Sequence, residues 1–220
     1  MKNKSLESIL FLGVLIVMQT GCNPQNNTND EKEKYNQAIA MQNRAKFLRH
    51  EGDIDSAITY YRKSLHVCYA LAKTSDAAKD TVYNRKIAHL NNSIGYVYDS
   101  LHNFDSALIY LKESLKWAKI CKMITMQIGD EELIGYIYYR YGKRKDKDSP
   151  ERTTLFSNGI IYFRTGLRTS DSSGIQKNRF TLDMYLLLRI MYKENGDSVN
   201  KQYFDKQYDD LSSQLLSHQQ

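Results

Sequence analysis

Apolar residues recur at helical spacing along nearly the whole chain, and no run of strand-like alternation interrupts them. Ala38, Met41, Ala45 and Leu48 predict a helix over Asp30 to His50. Gly52 supplies a left-handed stop, and Asp53 or Asp55 can cap the next helix. That helix runs to about Lys73, with Ala57, Tyr61, Ser64, Leu65 and Cys68 on one face. Thr74-Ser75-Asp76 breaks the pattern, and a long helix follows over Asp76 to Leu101. His102-Asn103 turns the chain into a helix that starts near Asp105 and reaches Lys122. Ile128 to Tyr141 is helical, Gly142 to Asp148 is a charged loop, and Ser149-Pro150 opens a helix to Leu167. Arg168 to Gly174 reads as a polar loop. A last pair covers Ile175–Glu194 and Ser198–Leu216, turned at Asn195-Gly196-Asp197.

The pattern repeats. Asp53 to Leu65 aligns with Asn103 to Leu115, 50 residues on, and six of the 13 positions are identical: Asp55/Asp105, Ser56/Ser106, Ala57/Ala107, Tyr60/Tyr110, Ser64/Ser114 and Leu65/Leu115. A third echo, Ile134-Gly135-Tyr136-Ile137-Tyr138, follows Ile94-Gly95-Tyr96-Val97-Tyr98. An internal helical repeat implies a stack of hairpins, each burying the apolar face of its neighbour. The expected fold is all-α, an α-solenoid of about four antiparallel helical hairpins over residues 35–216.

The N-terminus reads as a processing signal. Lys2 and Lys4 precede an apolar run of ten residues, Ile9 to Met18. A mature membrane helix needs about 20 residues, so the run fits the apolar core of a secretory signal instead. Gly21-Cys22 resembles a bacterial lipobox, with Gln19 where that motif usually has Leu. The reading is a lipoprotein signal peptide over 1–21, lipid attachment at Cys22 and a flexible tether over 22–34, beginning with the polar run Asn23 to Asp30. An ordinary secretory signal with an incidental cysteine is the alternative. Removing residues 1–21 takes away Lys2, Lys4 and Glu7, a net +1, and leaves +5 of the full +6. So modest a charge does not call for a nucleic-acid partner. Cys68 and Cys121 are read either as small core residues or as a disulfide, which an oxidising compartment permits.

The helices resemble tetratricopeptide repeats. A repeat begun at Ala88 places Gly95 at the eighth position, Tyr98 at the eleventh, Ala107 at the twentieth, Leu111 at the twenty-fourth and Ser114 at the twenty-seventh. A repeat begun at Ala38 places Ala45, Leu48, Ala57, Tyr61 and Ser64 there. Small residues let two helices cross closely, and the large ones fill the space beside the crossing. A repeat begun at Ile128 fits only in its first helix, through Gly135 and Tyr138. The 50-residue spacing exceeds the family's roughly 34, and Ala72 to Ile87 would hold the excess.

The resemblance implies a concave groove lined by the first helix of each hairpin. Carried over, the candidate binding residues are Lys46, Arg49, Asn92, Tyr96, Tyr136, Tyr139 and Arg140. Lys46, Arg49, Asn92 and Arg140 suit a carboxylate or an extended peptide backbone, and the three tyrosines supply flat contact area. The blander reading is a solvated helix face with core tyrosines. The implied function is a non-catalytic protein- or peptide-binding adaptor, lipid-tethered to the bacterial cell envelope at the periplasmic face or outer membrane. A sensor or regulatory component of an envelope signalling system is the alternative. Leu211 to Gln220 reads as neither a membrane helix nor a DNA-binding module.

Other chemistry finds little support. The 17 tyrosines fall mostly at packing positions, which favours core and groove over base stacking, so no nucleic-acid partner is expected. His50, His66, His89, His102 and His218 form no His-x-x-x-His pair, and no phosphate loop or nucleophile elbow occurs. Glu131 and Glu132 are adjacent on a helix and point about 100° apart. No catalytic residue, metal, cofactor or small-molecule substrate is expected. The Gly142–Asp148 loop suits acidic headgroups, an acidic partner or plain solvation. Asp-Ser-Ala at 55–57 and 105–107, Asp80-Thr81-Val82 and Asp197-Ser198-Val199 resemble a bacterial O-glycosylation motif, but helix capping explains Asp and Ser before a helix without any sugar and is the favoured reading.

Overall fold

The structure, a computed structural model, describes residues 24–74, 77–175 and 179–217. Among the described residues there are eight helices and no strand: α1 (Pro24–His50), α2 (Ile54–Thr74), α3 (Ala77–Ser100), α4 (Phe104–Ile120), α5 (Ile124–Lys143), α6 (Pro150–Ser172), α7 (Arg179–Glu194) and α8 (Ser198–Ser217). They pair as α1·α2, α3·α4, α5·α6 and α7·α8, and successive pairs meet through α2·α3, α4·α5 and α6·α7. This is the expected α-solenoid of four hairpins. The signal peptide over 1–21 and Cys22 lie outside the described residues.

Short-range chemistry sets the ends of the helices. The second helix of every hairpin starts at a side-chain cap: Asp53, Asn103, Ser149 and Asp197 each accept from the backbone N–H three residues on, at 3.0–3.2 Å. Asp53, not Asp55, therefore caps α2. The turns close with a backbone bond from residue i to i−5, as in Asp53 to Leu48, Asn103 to Tyr98, Met123 to Ala118 and Asp197 to Tyr192, each 2.9 Å. The residue before each of those donors has positive φ: Gly52, His102, Lys122 and Gly196.

Several boundaries differ from those read off the sequence. α1 already includes 24–34, the segment assigned to a flexible tether. Lys34 donates to Asp30 at 2.6 Å, an i,i+4 pair that supports helix there. α6 continues to Ser172 through the segment expected to be a polar loop, because Thr169 is anchored from its side chain: its hydroxyl bonds Glu131 at 3.1 Å. The excess of the 50-residue repeat is helical: α2 runs to Thr74 and α3 begins at Ala77. Cys68 and Cys121 are buried and free. Burial holds the Cys68 thiol up at about 11, so it behaves as a small apolar core residue.

The hairpin crossings use missing side chains. A Cβ on Gly95 would lie 2.6 Å from Leu111 Cγ, and one on Gly135 would lie 3.0 Å from the Phe163 ring. Phe163 thus does in α6 what Leu111 does in α4, so the third hairpin keeps the repeat in both helices. The offset is 40 residues in its first helix and 52 in its second, and the extra residues lengthen both helices and the turn between them. Ser64 and Ser114 each donate across their hairpin, to Ala38 O at 2.7 Å and Ala88 O at 3.0 Å. In the third hairpin Gly166 stands at that place, and its missing Cβ would lie 3.4 Å from Glu131 Cβ.

Candidate functional site: the face of the first helices

The stacking of hairpins sets α1, α3, α5 and α7 side by side, and their side chains meet across each step. At the α1–α3 step, Lys86 Nζ donates to Gln42 Oε1 at 3.0 Å, and the Arg49 guanidinium lies 5.6 Å from the Tyr96 ring centroid. At the α3–α5 step, Asn92 Nδ2 donates to Asp130 Oδ1 at 2.7 Å. Arg140 Nη1 donates to both carboxylate oxygens of Asp99, at 2.6 and 2.7 Å, and its Nη2 lies 2.8 Å from His102 Nδ1. A guanidinium only donates, so that His102 nitrogen accepts.

At the α5–α7 step the facing residues are Glu132 and Asp183, which line one cleft of ≈ 380 Å³ with Tyr136, Leu186 and Leu187. Burial, reinforced by the like charge of Asp183, pushes the Glu132 carboxyl up to about 7. An adjoining cavity of ≈ 270 Å³ is walled by Ile128, Phe180 and Met184 and reaches Glu132 from the other side.

The seven residues read from the sequence as groove lining fall into two groups. Lys46, Arg49 and Tyr96 are exposed, Tyr96 at 53%. Tyr136 is 40% exposed, with the Arg140 guanidinium 5.5 Å from its centroid. Asn92, Arg140 and Tyr139 are occupied within the fold. Asn92 and Arg140 serve Asp130 and Asp99, and Tyr139 stacks on Phe156 at 5.9 Å between α5 and α6. The Arg140 guanidinium thus already pairs with a buried carboxylate, and Asn92 and Tyr139 likewise have partners inside the fold.

Potential along the face is uneven. Lys86 and His89 hold their protons less tightly than usual, first because of burial, with Lys46 adding repulsion to both and Lys86 and Arg85 adding more to His89. The α1–α3 end is therefore positive. The α5 end is acidic: Asp130 is held up at about 6 by burial, against the pull of its bonds from Ser114 and Asn92. Its neighbour Glu131 is fully buried, with Lys119 Nζ 3.1 Å from Oε1. Glu131 and Glu132 thus face different neighbours.

Sequence reading placed Gln42 and Asp99 on the face by position and missed Lys86 and Asp130 as members of it. Asp99 sits at a groove position of its repeat, and its pairing with Arg140, 41 residues on, follows only from how the third hairpin stacks. A second missed pattern joins hairpins on the other side. Arg62 donates to Tyr98 and Tyr110 hydroxyls at 2.7 and 3.1 Å, Lys112 to Tyr138 at 2.9 Å, and Arg164 to Tyr192 at 3.2 Å. Each cation lies one residue after the large residue that fills the crossing in its hairpin, Tyr61, Leu111 or Phe163, and that fixed place is the signal that finds it.

These features define a helical repeat protein. Residues 38–68 and 88–121 match the tetratricopeptide repeat family. The fold is similar to that in the crystal structure of BtubC (BKLC) from P. vanneervenii, with 16% sequence identity and a TM-score of 0.61 over 81% of this chain. The match spans 64% of the BtubC chain, less than two thirds of its length. At that identity the likeness concerns the fold alone. No curated protein matches the sequence. Among the described residues no helix is long and apolar enough to cross a membrane, and no group of three or more His, Cys, Asp or Glu residues is placed to hold a metal ion.

Proposed function

We propose that this chain is a non-catalytic adaptor that binds a protein or peptide on the face of its first helices, and that a lipid on Cys22 holds it to the bacterial cell envelope. The observation that carries the binding half is the exposed end of that face, where Lys46, Arg49 and Tyr96 stand open to solvent with Arg49 over the Tyr96 ring. A pre-positioned cation and a flat ring at low entropic cost suit a carboxylate or an extended backbone. Support for the anchor comes from Gly21-Cys22 after the apolar run Ile9 to Met18.

The test compares wild type with a Lys46/Arg49/Tyr96 alanine variant in affinity capture from envelope extracts. Arg140 is left intact because its loss would strand Asp99. Partners retained by wild type and lost by the variant support the reading, and equal recovery removes it. For the anchor, Cys22→Ser is expected to move the protein from the membrane to the soluble fraction, and unchanged fractionation rules the lipid out.

A further inference from the structure

Two of the three steps along the face are closed by complementary partners. Lys86 meets Gln42 and Arg49 meets Tyr96 at the first, and Asn92 meets Asp130 and Arg140 meets Asp99 at the second. At the third step two carboxylates face each other, and neither Glu132 nor Asp183 has a hydrogen bond or ion pair among the described residues. The nearest cation on the same helix, Arg140, is committed to Asp99, and Arg189 of α7 lies 3.5 Å from Asp205 of α8. The groove around the pair is otherwise largely apolar, through Leu186 and Leu187 on one side and Ile128, Phe180 and Met184 on the other.

A groove of that kind selects its occupant. Like charges drawn together in a partly buried cleft favour a cation between them. A bare metal ion would find two carboxylates in a groove whose remaining lining is mostly apolar, with only the hydroxyls of Tyr136, Thr125, Ser170 and Thr181 besides, whereas calcium takes about six to eight oxygens, mostly carboxylate, carbonyl and water. A cation carried on a hydrocarbon stem meets both demands, because the stem lies along apolar surface while the head reaches the carboxylates.

We propose that the α5–α7 groove docks a partner peptide through a lysine or arginine side chain, its cation seated between Glu132 and Asp183 and a neighbouring apolar residue of the same peptide filling the Ile128–Phe180–Met184 cavity. This rests on the adaptor reading and names what one end of the face selects. The positive α1–α3 end gives direction: the bound segment lies with its basic, apolar part at α5–α7 and its carboxylate-bearing part toward Lys46 and Arg49.

The experiment is a positional array of short synthetic peptides probed with full-length wild type, with E132Q/D183N and with the Lys46/Arg49/Tyr96 alanine variant. The best peptide and its Lys→Gln and Lys→Glu analogues are then titrated in solution. Wild type is expected to select Lys or Arg beside Leu, Ile or Phe, and E132Q/D183N to weaken the best peptide by about tenfold while binding the Gln analogue as wild type does. E132K is expected to prefer the Glu analogue, which ties selection to charge and not to folding. Circular dichroism checks that each variant stays helical. Equal affinity of wild type and E132Q/D183N for the basic peptide, or selection of acidic peptides at this end, overturns the inference and leaves the adaptor reading standing. No binding of any peptide by any form overturns both.

Discussion

The α1–α4 half and the α5–α8 half are built from the same hairpin and joined in different ways. Within hairpins the halves agree: Gly95 receives Leu111, and Gly135 receives Phe163. Between hairpins they diverge. α2 and α3 share a continuous core of Tyr61, Leu65, Cys68, Ile87, Leu90 and Ile94, whereas α6 meets α7 much more sparsely. The cavities beside Glu132 both lie at the α5–α7 step. The difference teaches that crossing and joint are separate features. A crossing needs one absent side chain opposite one large one, while a joint needs apolar surface plus complementary polar partners on the next hairpin.

The hairpin equivalence is broken most directly at its fillers. Phe163→Ala is expected to destabilise by about 3–5 kcal/mol and Leu111→Ala by about 2–5, since both side chains are fully buried and each leaves a cavity at a crossing. Urea unfolding midpoints measure both, and a Phe163→Ala loss below about 1 kcal/mol would separate the third hairpin from the second. Next is the α3–α5 joint. Arg140→Ala strands Asp99, whose carboxyl burial already holds above its ordinary range against the pull of Arg140, and is expected to lower stability by about 2–3 kcal/mol. Smaller again are two glycines of opposite sign. Gly95→Ala forces a Cβ to within 2.6 Å of Leu111 Cγ and should destabilise by about 1–2 kcal/mol. Gly129→Ala, on α5 with nothing within 4 Å of the added Cβ, should stabilise by about 0.5–1 kcal/mol.

The open joint is sharpened by pH. Glu132 binds its proton more tightly when folded, with its carboxyl at about 7 against an ordinary 4.5. Its favourable contribution is fully present below 4.5 and is lost as pH rises through 7, when a buried charge forms opposite Asp183. Glu132→Gln is therefore expected to raise the urea midpoint at pH 8 and to leave it unchanged at pH 4.5. A residual slope of the same sign in that variant belongs to Asp130, at about 6, and to Asp99, also held up by burial, so Asp130→Asn should reduce it.

The hairpins were legible because crossings and caps obey local rules. Ala57, Gly95, Ala107 and Ser114 mark close approaches by their size, and Asn195-Gly196-Asp197 marks a turn by its composition. The second helix of the third hairpin escaped because Gly159, Phe163 and Gly166 fill the expected places with other residue types, after a longer turn. The face was legible only in part. Lys46, Arg49, Tyr96 and Tyr136 could be placed there by position. Whether such a residue stands free or is spent on a neighbour depends on its partner across the next helix, as Arg140 and Asn92 illustrate, and a repeat register alone does not contain that.

The smallest effect lies at the boundary between the halves. Lys122 turns α4 into α5 with φ at 53°, and His102 turns α3 into α4 with φ at 59°, where the other such turns use Gly52, Gly174 and Gly196. Left-handed backbone disfavours a Cβ by about 1–2 kcal/mol, and the extra freedom of glycine in the unfolded chain offsets part of any gain. Lys122 is exposed with no ion pair among the described residues, so Lys122→Gly should stabilise by about 0.5 kcal/mol. His102→Gly relieves the same strain and gives up the ring whose Nδ1 accepts from Arg140 and which packs 6.1 Å from Phe104, so it should lower stability instead. Opposite shifts in urea midpoint would place the value of His102 in the α3–α5 joint. Equal gains would mean that the closed joint is held without His102, by Arg140–Asp99 and Asn92–Asp130.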